Sequence, residues 1–126
     1  MTIILVDQGN KERDLQLANR VWNCVVSNVE RGRVFEPKVT ELLYIGTVGK
    51  LDKPQSIKFA KYLEKHMLTD ISDDQVIFED GRIGEVTITG QGFGMDTPYH
   101  LLSHVSKQTL QELFEFASEC HGFHVC

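Results

Sequence analysis

The chain begins with two apolar patterns of different period, and these limit its possible folds more than any other feature. The run Thr2–Val6 is short, continuous and rich in β-branched residues, which is typical of a buried strand. Apolar residues then recur at intervals of three and four, which predicts an amphipathic helix from about Lys11 to Glu30. Gly32 is predicted to end this helix in the left-handed conformation. The recurring positions are Leu15, Ala18, Trp22, Val25 and Val29.

A second strand and a second helix are predicted next. The apolar residues of Val39–Val48 indicate the strand. Asp52 starts the helix, because its side chain can accept a hydrogen bond from a free backbone amide while Gln55, three residues later, completes a capping box. This helix is expected to extend to about His66. Its predicted buried residues are Ile57, Ala60, Leu63 and Met67.

The last part of the chain carries a hairpin signal and a helix start. Asp80-Gly81 separates the apolar stretches Gln75–Glu79 and Arg82–Thr89, which predicts a β-hairpin, with a bulge near Gly84 in its second arm. Thr97-Pro98 is predicted to open a short helical turn through Val105. Ser106 is predicted to cap a final helix that stops at Gly122.

These elements define the predicted fold class. It is α/β (α+β), a mixed sheet of about four strands with three helices in the order β-α-β-α-β-β-α. The early β-α-β unit is expected to be parallel and right-handed, and the later hairpin antiparallel. With 126 residues, of which 41% are hydrophobic, the chain is large and apolar enough for one domain over residues 1–126.

The sequence favours a cytoplasmic protein. No stretch approaches the roughly 20 apolar residues that a membrane helix needs, and the amino terminus lacks a basic leader. The cysteines, Cys24, Cys120 and Cys126, are odd in number and widely spaced, which argues against a disulfide framework. We therefore predict no membrane partner.

No catalytic residue and no cofactor are predicted. Cys24 lies on the apolar side of the first helix and is interpreted as a core residue, and no Gly-x-Ser-x-Gly elbow is present. The glycines of Gly90–Gly94 do not have the spacing of a dinucleotide-binding turn. The helical spacing of Lys58, Lys61 and Lys65 indicates a solvated face, so direct nucleic-acid binding is not favoured.

A metal site is the alternative that the residue types leave open. The tail from Cys120 to Cys126 holds two cysteines and two histidines, the ligands that zinc prefers. With the ligands His100, His104, Cys120 and His124, the chain would be a small metal-dependent enzyme. In the competing interpretation, Cys120 packs as a small hydrophobe and the last residues fray.

Charge is distributed unevenly along the chain. Residues 1–65 hold 11 basic and 8 acidic residues, whereas residues 66–126 hold 2 basic and 10 acidic ones. Such a field can attract a basic partner, although it also serves solubility alone. Aromatic side chains beside the acids would supply buried contacts with that partner. The predicted partner-binding residues are Asp70, Asp73, Asp74, Glu79, Asp80, Glu85, Phe93, Asp96 and Tyr99.

The stretch Gln75–Ala117 resembles bacterial immunity proteins, which neutralise polymorphic toxins such as those of contact-dependent growth inhibition. The resemblance is carried by the acidic hairpin around Asp80, by Thr-Pro-Tyr-His-Leu-Leu from Thr97, and by the helix that follows Ser106. It implies a non-enzymatic module that binds and blocks a basic toxin domain. An adaptor or subunit of another complex is the further alternative, since it too needs only a complementary surface.

Overall fold

The structure, a computed structural model, describes residues 2–44, 49–85 and 104–126. It contains the strands β1 (Thr2–Asp7), β2 (Asp14–Ala18), β3 (Lys50–Asp52), β4 (Gln75–Phe78), β5 (Ile83–Glu85), β6 (His104–Ser106) and β7 (Gly122–Val125). The helices are α1 (Asn19–Arg31), α2 (Pro37–Tyr44), α3 (Lys53–His66) and α4 (Lys107–Glu119), and a 3-10 turn follows α3 at Leu68–Asp70.

The strands form two sheets, which confirms the mixed α and β class but not the predicted arrangement. Sheet A has the order β2-β1-β7-β3 and sheet B the order β5-β4-β6, and every pairing is antiparallel. The predicted parallel β-α-β unit is wrong, because the last strand of the chain inserts between β1 and β3. The part of the chain that the structure describes has four helices rather than three, and two sheets rather than one.

The predicted helix from Lys11 to Glu30 is wrong over its first eight residues. Residues 14–18 form β2, which pairs with β1 through Leu5–Leu15 and Ile3–Leu17, and α1 starts only at Asn19. Leu15 and Leu17 are two residues apart and therefore lie on the same, inner face of the strand. Pairing with β1 thus imposes the strand period of two on a segment whose apolar residues also fit a helical spacing.

The end of α1 also differs from the prediction. Gly32 has a φ of −75°, and the left-handed residue is Arg33, with a φ of 53°. Glycine is nevertheless required at position 32, because a Cβ there would collide with the ring of Tyr62 on α3. The glycine therefore permits close packing between helices rather than a left-handed turn.

The predicted strand Val39–Val48 is wrong, because residues 37–44 form α2. Pro37 suits the first position of a helix, and the buried Thr40 and Leu43 lie three residues apart on the face that packs on α1. Trp22 of α1 donates its indole N–H to the Leu43 carbonyl at 2.8 Å. Residues 45–48 lie outside the described ranges.

The capping box of α3 is confirmed. Gln55 N donates to Asp52 Oδ1 at 2.9 Å, and Asp52 N donates to Gln55 Oε1 at 3.0 Å. The helix ends at His66 as predicted. Of the predicted buried residues Ile57 is only half-buried, and Phe59 occupies the core instead.

The hairpin at Asp80-Gly81 is confirmed as well. Gly81 has a φ of +89°, and Phe78 both accepts from Gly81 N and donates to Arg82 O, each at 2.9 Å. This three-residue loop needs a residue at positive φ, which glycine supplies without steric cost. The bulge predicted near Gly84 is absent from the described pairing, which is regular from Ile77–Ile83 to Gln75–Glu85, since this glycine instead makes room for the Phe78 ring.

The carboxyl terminus, which was expected to fray, is instead part of sheet A. Ser106 caps α4 as predicted, its hydroxyl accepting from Thr109 N at 3.3 Å. The chain then forms β7, which lies inside sheet A with a neighbour on each side. Phe123 of β7 is fully buried, with its ring centroid 6.3 Å from that of Trp22 and 5.9 Å from those of Phe59 and Phe116. The last strand therefore carries the centre of the aromatic core.

The helical turn predicted from Thr97 falls mostly outside the described residues, and Val105 at its end lies in β6. Within the described ranges, no helix combines the length and apolar character required to cross a membrane.

Candidate protein-interaction surface

The loop between α3 and sheet B holds three of the predicted acidic residues in exposed positions. Asp70 ends the 3-10 turn, and Asp73 and Asp74 follow three and four residues later. Ile71 between them is buried. Ser72 N donates to Gln75 Oε1 at 2.8 Å, and Gln75 N donates to Ser72 O at 3.0 Å. The loop is thus held at its base while its carboxylates face solvent.

Helix α4 extends this acidic surface. Its core face is apolar, with Leu110, Leu113 and Ala117 fully buried. Glu112 and Glu115 lie on the opposite, exposed face, as the helical period requires. A depression of about 420 Å³ joins this face to the loop. It is lined by Asp73, Lys107, Gln108, Gln111 and Glu112.

We call Asp70, Asp73, Asp74, Glu112 and Glu115 the acidic ridge. The nearest basic group is Lys107, whose Nζ lies 3.7 Å from Asp73 Oδ1. This ion pair is long and the Asp73 side chain is 99% exposed, so it compensates the charge of the ridge only weakly. Within the described residues, the other four carboxylates take part in no ion pair. The ridge therefore keeps most of its negative charge.

The hairpin tip holds the predicted residues Glu79 and Asp80 in a different environment. Arg82 Nε lies 2.6 Å from Asp80 Oδ2, and Arg31 donates to the Glu79 carbonyl. Partial burial works to raise the pKa of the Asp80 carboxyl, but the Arg82 backbone N–H and the charged side chains of Arg82 and Arg31 lower it below its usual value. The tip thus places two arginines near the Asp80 carboxylate, and Arg31 reaches Glu79 at its backbone carbonyl.

A network of side-chain donors from α1 also holds the tip. Asn28 donates to Phe78 O at 3.2 Å, and Ser27 donates to Glu79 O at 3.0 Å. Arg31 bridges this network by also donating to Asn28 Oδ1 at 2.6 Å. The successive carbonyls of Phe78 and Glu79 thus accept hydrogen bonds from side chains of one helix. These bonds fix the position of the tip against α1.

The remaining predicted partner-binding residues add little to this geometry. Glu85 lies in β5 opposite Gln75. Phe93, Asp96 and Tyr99 lie outside the described residues. The structure therefore brings Asp70, Asp73 and Asp74 together with the α4 glutamates, and it separates them from Glu79 and Asp80 by the length of β4.

Comparison with known proteins gives no information on this surface. The chain matches no protein-family model, and no curated protein and no solved structure is significantly similar to it.

The alternative metal ligands are not brought together in the part of the chain that is described. His104 lies in sheet B, whereas His124 lies in sheet A. Cys120 is buried, with its Sγ 3.2 Å from Ser56 Oγ, which confirms the interpretation that it packs in the core. No group of three histidine, cysteine or acidic side chains suited to a metal ion occurs among the described residues, and His100 is outside them.

Cys24 is confirmed as a core residue. Its thiol donates to Ile77 O at 3.3 Å, and its side chain is fully buried. Burial raises the pKa of this thiol to about 12. Because the thiolate is the reactive form, Cys24 is not suited to nucleophilic chemistry near neutral pH.

Asp7 is a buried polar residue that the sequence patterns did not single out. Its Oδ1 accepts from Gly9 N at 2.8 Å and His121 N at 3.1 Å, and lies 3.4 Å from His121 Nδ1. Burial works to raise the pKa of the Asp7 carboxyl, but these donors lower it below its usual value. The contacts fasten the β1–β2 turn to the start of β7, which is a structural role. In the sequence, Asp7 stands two residues before Gly9, a pattern that indicates a turn but not a buried carboxylate.

Proposed function

We propose that this protein is a non-enzymatic binding module that captures a basic protein partner through the acidic ridge. The observation that supports this proposal is the excess of carboxylates on the ridge, with Lys107 as its one basic neighbour within 4 Å among the described residues. Exposed, uncompensated charge of one sign speeds the encounter with a partner of opposite sign and orients it.

The depression at the centre of the ridge suggests how such a partner is recognised. Asp73 and Glu112 present carboxylates at its border, and Gln108 and Gln111 add amide oxygens. A guanidinium group pairs with a carboxylate through two parallel hydrogen bonds, so an arginine of the partner is the side chain that fits this set best. It would displace Lys107 from Asp73.

Of the possible basic partners, we favour a toxin domain, as for an immunity protein. A toxin that acts on nucleic acid or another anionic substrate carries basic residues at its active site. An acidic ridge seated there would compete with the substrate for those residues and block the reaction. An adaptor function would use the same surface on a partner without toxic activity.

A pull-down from lysate of the native organism, at low and moderate salt, tests the proposal. We expect one stoichiometric basic partner whose toxic activity the protein inhibits. Association is then measured for the triple variant Asp73→Lys, Asp74→Lys, Glu112→Lys. The matched control Glu12→Lys, Glu36→Lys, Glu41→Lys changes the net charge equally at exposed sites outside the ridge. Equal rates for the two variants would contradict the proposal.

A further inference from the structure

Sheet A has two edge strands, β2 and β3. At the first edge, Asp7 N donates to Arg13 O at 3.0 Å, so these two residues form a hydrogen-bonded pair. Hydrogen-bonded and non-hydrogen-bonded pairs alternate along an antiparallel ladder, so the backbone groups of Asp14, Gln16 and Ala18 face away from β1. All three residues are exposed. Among the described residues, the outward N–H and C=O groups of Asp14 and Gln16 have no hydrogen-bond partner.

The opposite edge, β3, is largely closed by its neighbours. Val125 N donates to Gly49 O at 2.8 Å, so by the same alternation Lys50 and Asp52 face outward. The amide of Asp52 is already bound in the capping box of α3. The backbone of α2 lies against the start of the strand, since a Cβ on Gly49 would be 2.6 Å from Leu42 O. This edge therefore offers little backbone to an incoming strand.

Strand β2 lacks most of the features by which edge strands avoid pairing with other chains. It is five residues long, pairs regularly with β1 throughout, and contains no proline, lysine or bulge. The side chain of Gln16 donates to Thr2 Oγ1 at 3.3 Å, so it leans over β1 and leaves the edge uncovered. The β2 edge is thus a template for one more strand.

The end of β2 carries a second unsatisfied feature, the start of α1. Ala18 is the N-cap residue of α1, its side chain cannot accept a hydrogen bond, and the first turn holds no acidic residue. The first N–H groups of a helix lack intrahelical partners and carry partial positive charge, so a carboxylate beside them is favourable. Helices α3 and α4 each have a side-chain cap, whereas α1 has none.

A second copy of the same strand answers both features at once. In an antiparallel pair about a two-fold axis through Gln16, the two Gln16 residues exchange backbone hydrogen bonds. Asp14 of each copy then lies opposite Ala18 of the other, on the same outer face of the sheet, beside the uncapped start of α1. The two Asp14 carboxylates stay about 13 Å apart along the strands and are screened from each other.

We propose that two copies of this chain associate through their β2 edges, so that each four-stranded sheet A becomes half of one continuous sheet. Asp14 of each copy supplies the carboxylate that the start of α1 lacks in the other. The strand β3 then forms both outer edges of the joined sheet. Because that edge is largely closed, association stops at a two-fold symmetric dimer instead of extending to a filament.

The length of β2 determines the strength of this dimer. A strand of five residues is about 17 Å long, so the contact buries much less than the roughly 800 Å² per copy of a standard complex. We expect a dissociation constant of about 100 µM to 1 mM. Backbone hydrogen bonds are screened by salt less than surface ion pairs are. The inference does not depend on the proposed function, since no residue of the acidic ridge lies in β2.

Sedimentation velocity of the purified full chain tests the dimer, at loadings up to about 1 mM and in about 50 and 500 mM NaCl. We expect a monomer–dimer equilibrium whose dissociation constant changes by less than about threefold between the two salt concentrations. In ¹H–¹⁵N spectra, the amide signals of Asp14 and Gln16 should shift with protein concentration, because these N–H groups become hydrogen-bonded only in the dimer.

A matched pair of substitutions at Gln16 tests the backbone contact. Gln16→Pro removes the outward N–H at the centre of the pair, and proline is tolerated on an edge strand where its nitrogen faces away from the ladder. It should weaken the dimer at least about tenfold. The control Gln16→Thr also loses the side-chain contact with Thr2 but keeps the N–H, so it should dimerise within about threefold of the native chain. Circular dichroism checks that both variants are folded.

A charge exchange tests the predicted register. Ala18→Asp gives α1 its own cap but places like charges opposite each other across the pair, so the dimer should weaken at least about tenfold. In the double variant Asp14→Lys, Ala18→Asp the introduced charges are opposite, and the dissociation constant should return to within about threefold of the native value. A native chain that is monomeric at every loading, a dimer that survives Gln16→Pro, or a double variant that does not recover would overturn the inference. None of these outcomes bears on binding of a basic partner by the ridge, which is measured separately.

Discussion

The hairpin tip and the acidic ridge are both rich in acids in the sequence, yet the fold treats them in opposite ways. At the tip, Arg82 pairs with the Asp80 carboxylate, Arg31 lowers the pKa of the same group, and side chains of α1 bind the backbone carbonyls. On the ridge, the long ion pair between Lys107 and Asp73 is the one that offsets negative charge among the described residues. Acidic residues that stabilise a fold are thus distinguished from those available to a partner by what the tertiary structure places beside them.

The largest effect is expected from breaking the attachment of the tip. Asn28→Leu would leave the carbonyls of Cys24 and Phe78 without their side-chain donor in the buried site that Asn28 occupies. We expect the free energy of unfolding to fall by about 2–3 kcal/mol, measured by urea denaturation. The matched control Gln108→Leu, an exposed amide on the ridge side, should change it by less than about 0.5 kcal/mol. Similar losses for both would show that the network does not hold the tip.

A matched pair of charge reversals compares how much the ridge and the tip contribute to the association rate with a partner. Glu112→Lys and Glu79→Lys change the net charge equally, one on the ridge and one at the tip. Once a partner is identified, Glu112→Lys should slow its association several-fold, up to about tenfold, at low salt. Glu79→Lys should slow it less, because Arg82 and Arg31 beside Asp80 already offset part of the negative charge of the tip. Stopped-flow association at two salt concentrations measures both, and a larger effect at the tip would reverse the assignment.

A smaller effect, with a defined direction, is expected in the pH dependence of stability. The folded-state pKa of Asp80 is lowered, so its ion pair stabilises the fold above the unfolded pKa near 3.9 and is lost as the pH falls through the folded value. Asp80→Asn should therefore lower stability at neutral pH by less than about 1 kcal/mol and weaken the loss below about pH 4. Urea denaturation between about pH 2.5 and 7 measures this. An unchanged acid limb would mean that Asp80 does not stabilise the tip.

The smallest effect is expected at Lys107. Since Asp73 is almost fully exposed, Lys107→Gln should change the free energy of unfolding by less than about 0.5 kcal/mol. The same variant makes the ridge more negative and should accelerate association with a basic partner about twofold. Slower association would instead indicate that Lys107 contacts the partner.

Local signals predicted the parts of this fold that depend on neighbouring residues. The capping box at Asp52, the serine cap at Ser106 and the hairpin at Asp80-Gly81 all form as expected, because each is closed by hydrogen bonds within a few residues. The same reasoning failed for β2, α2 and β7. Each of these is short and takes its conformation from another element of the fold, as β2 does from β1 and β7 does from β1 and β3.

For the candidate site, the sequence by itself determined which residues carry charge and that the second half of the chain is strongly acidic. Only the tertiary structure decided which of those charges stay uncompensated, because Arg31 reaches the tip from a helix 48 residues away, whereas no comparable donor is described on the ridge. Coulomb energy falls with distance and with solvent screening. Charge counting along a chain therefore identifies the sign of a surface, and folding determines where that sign remains available to a partner.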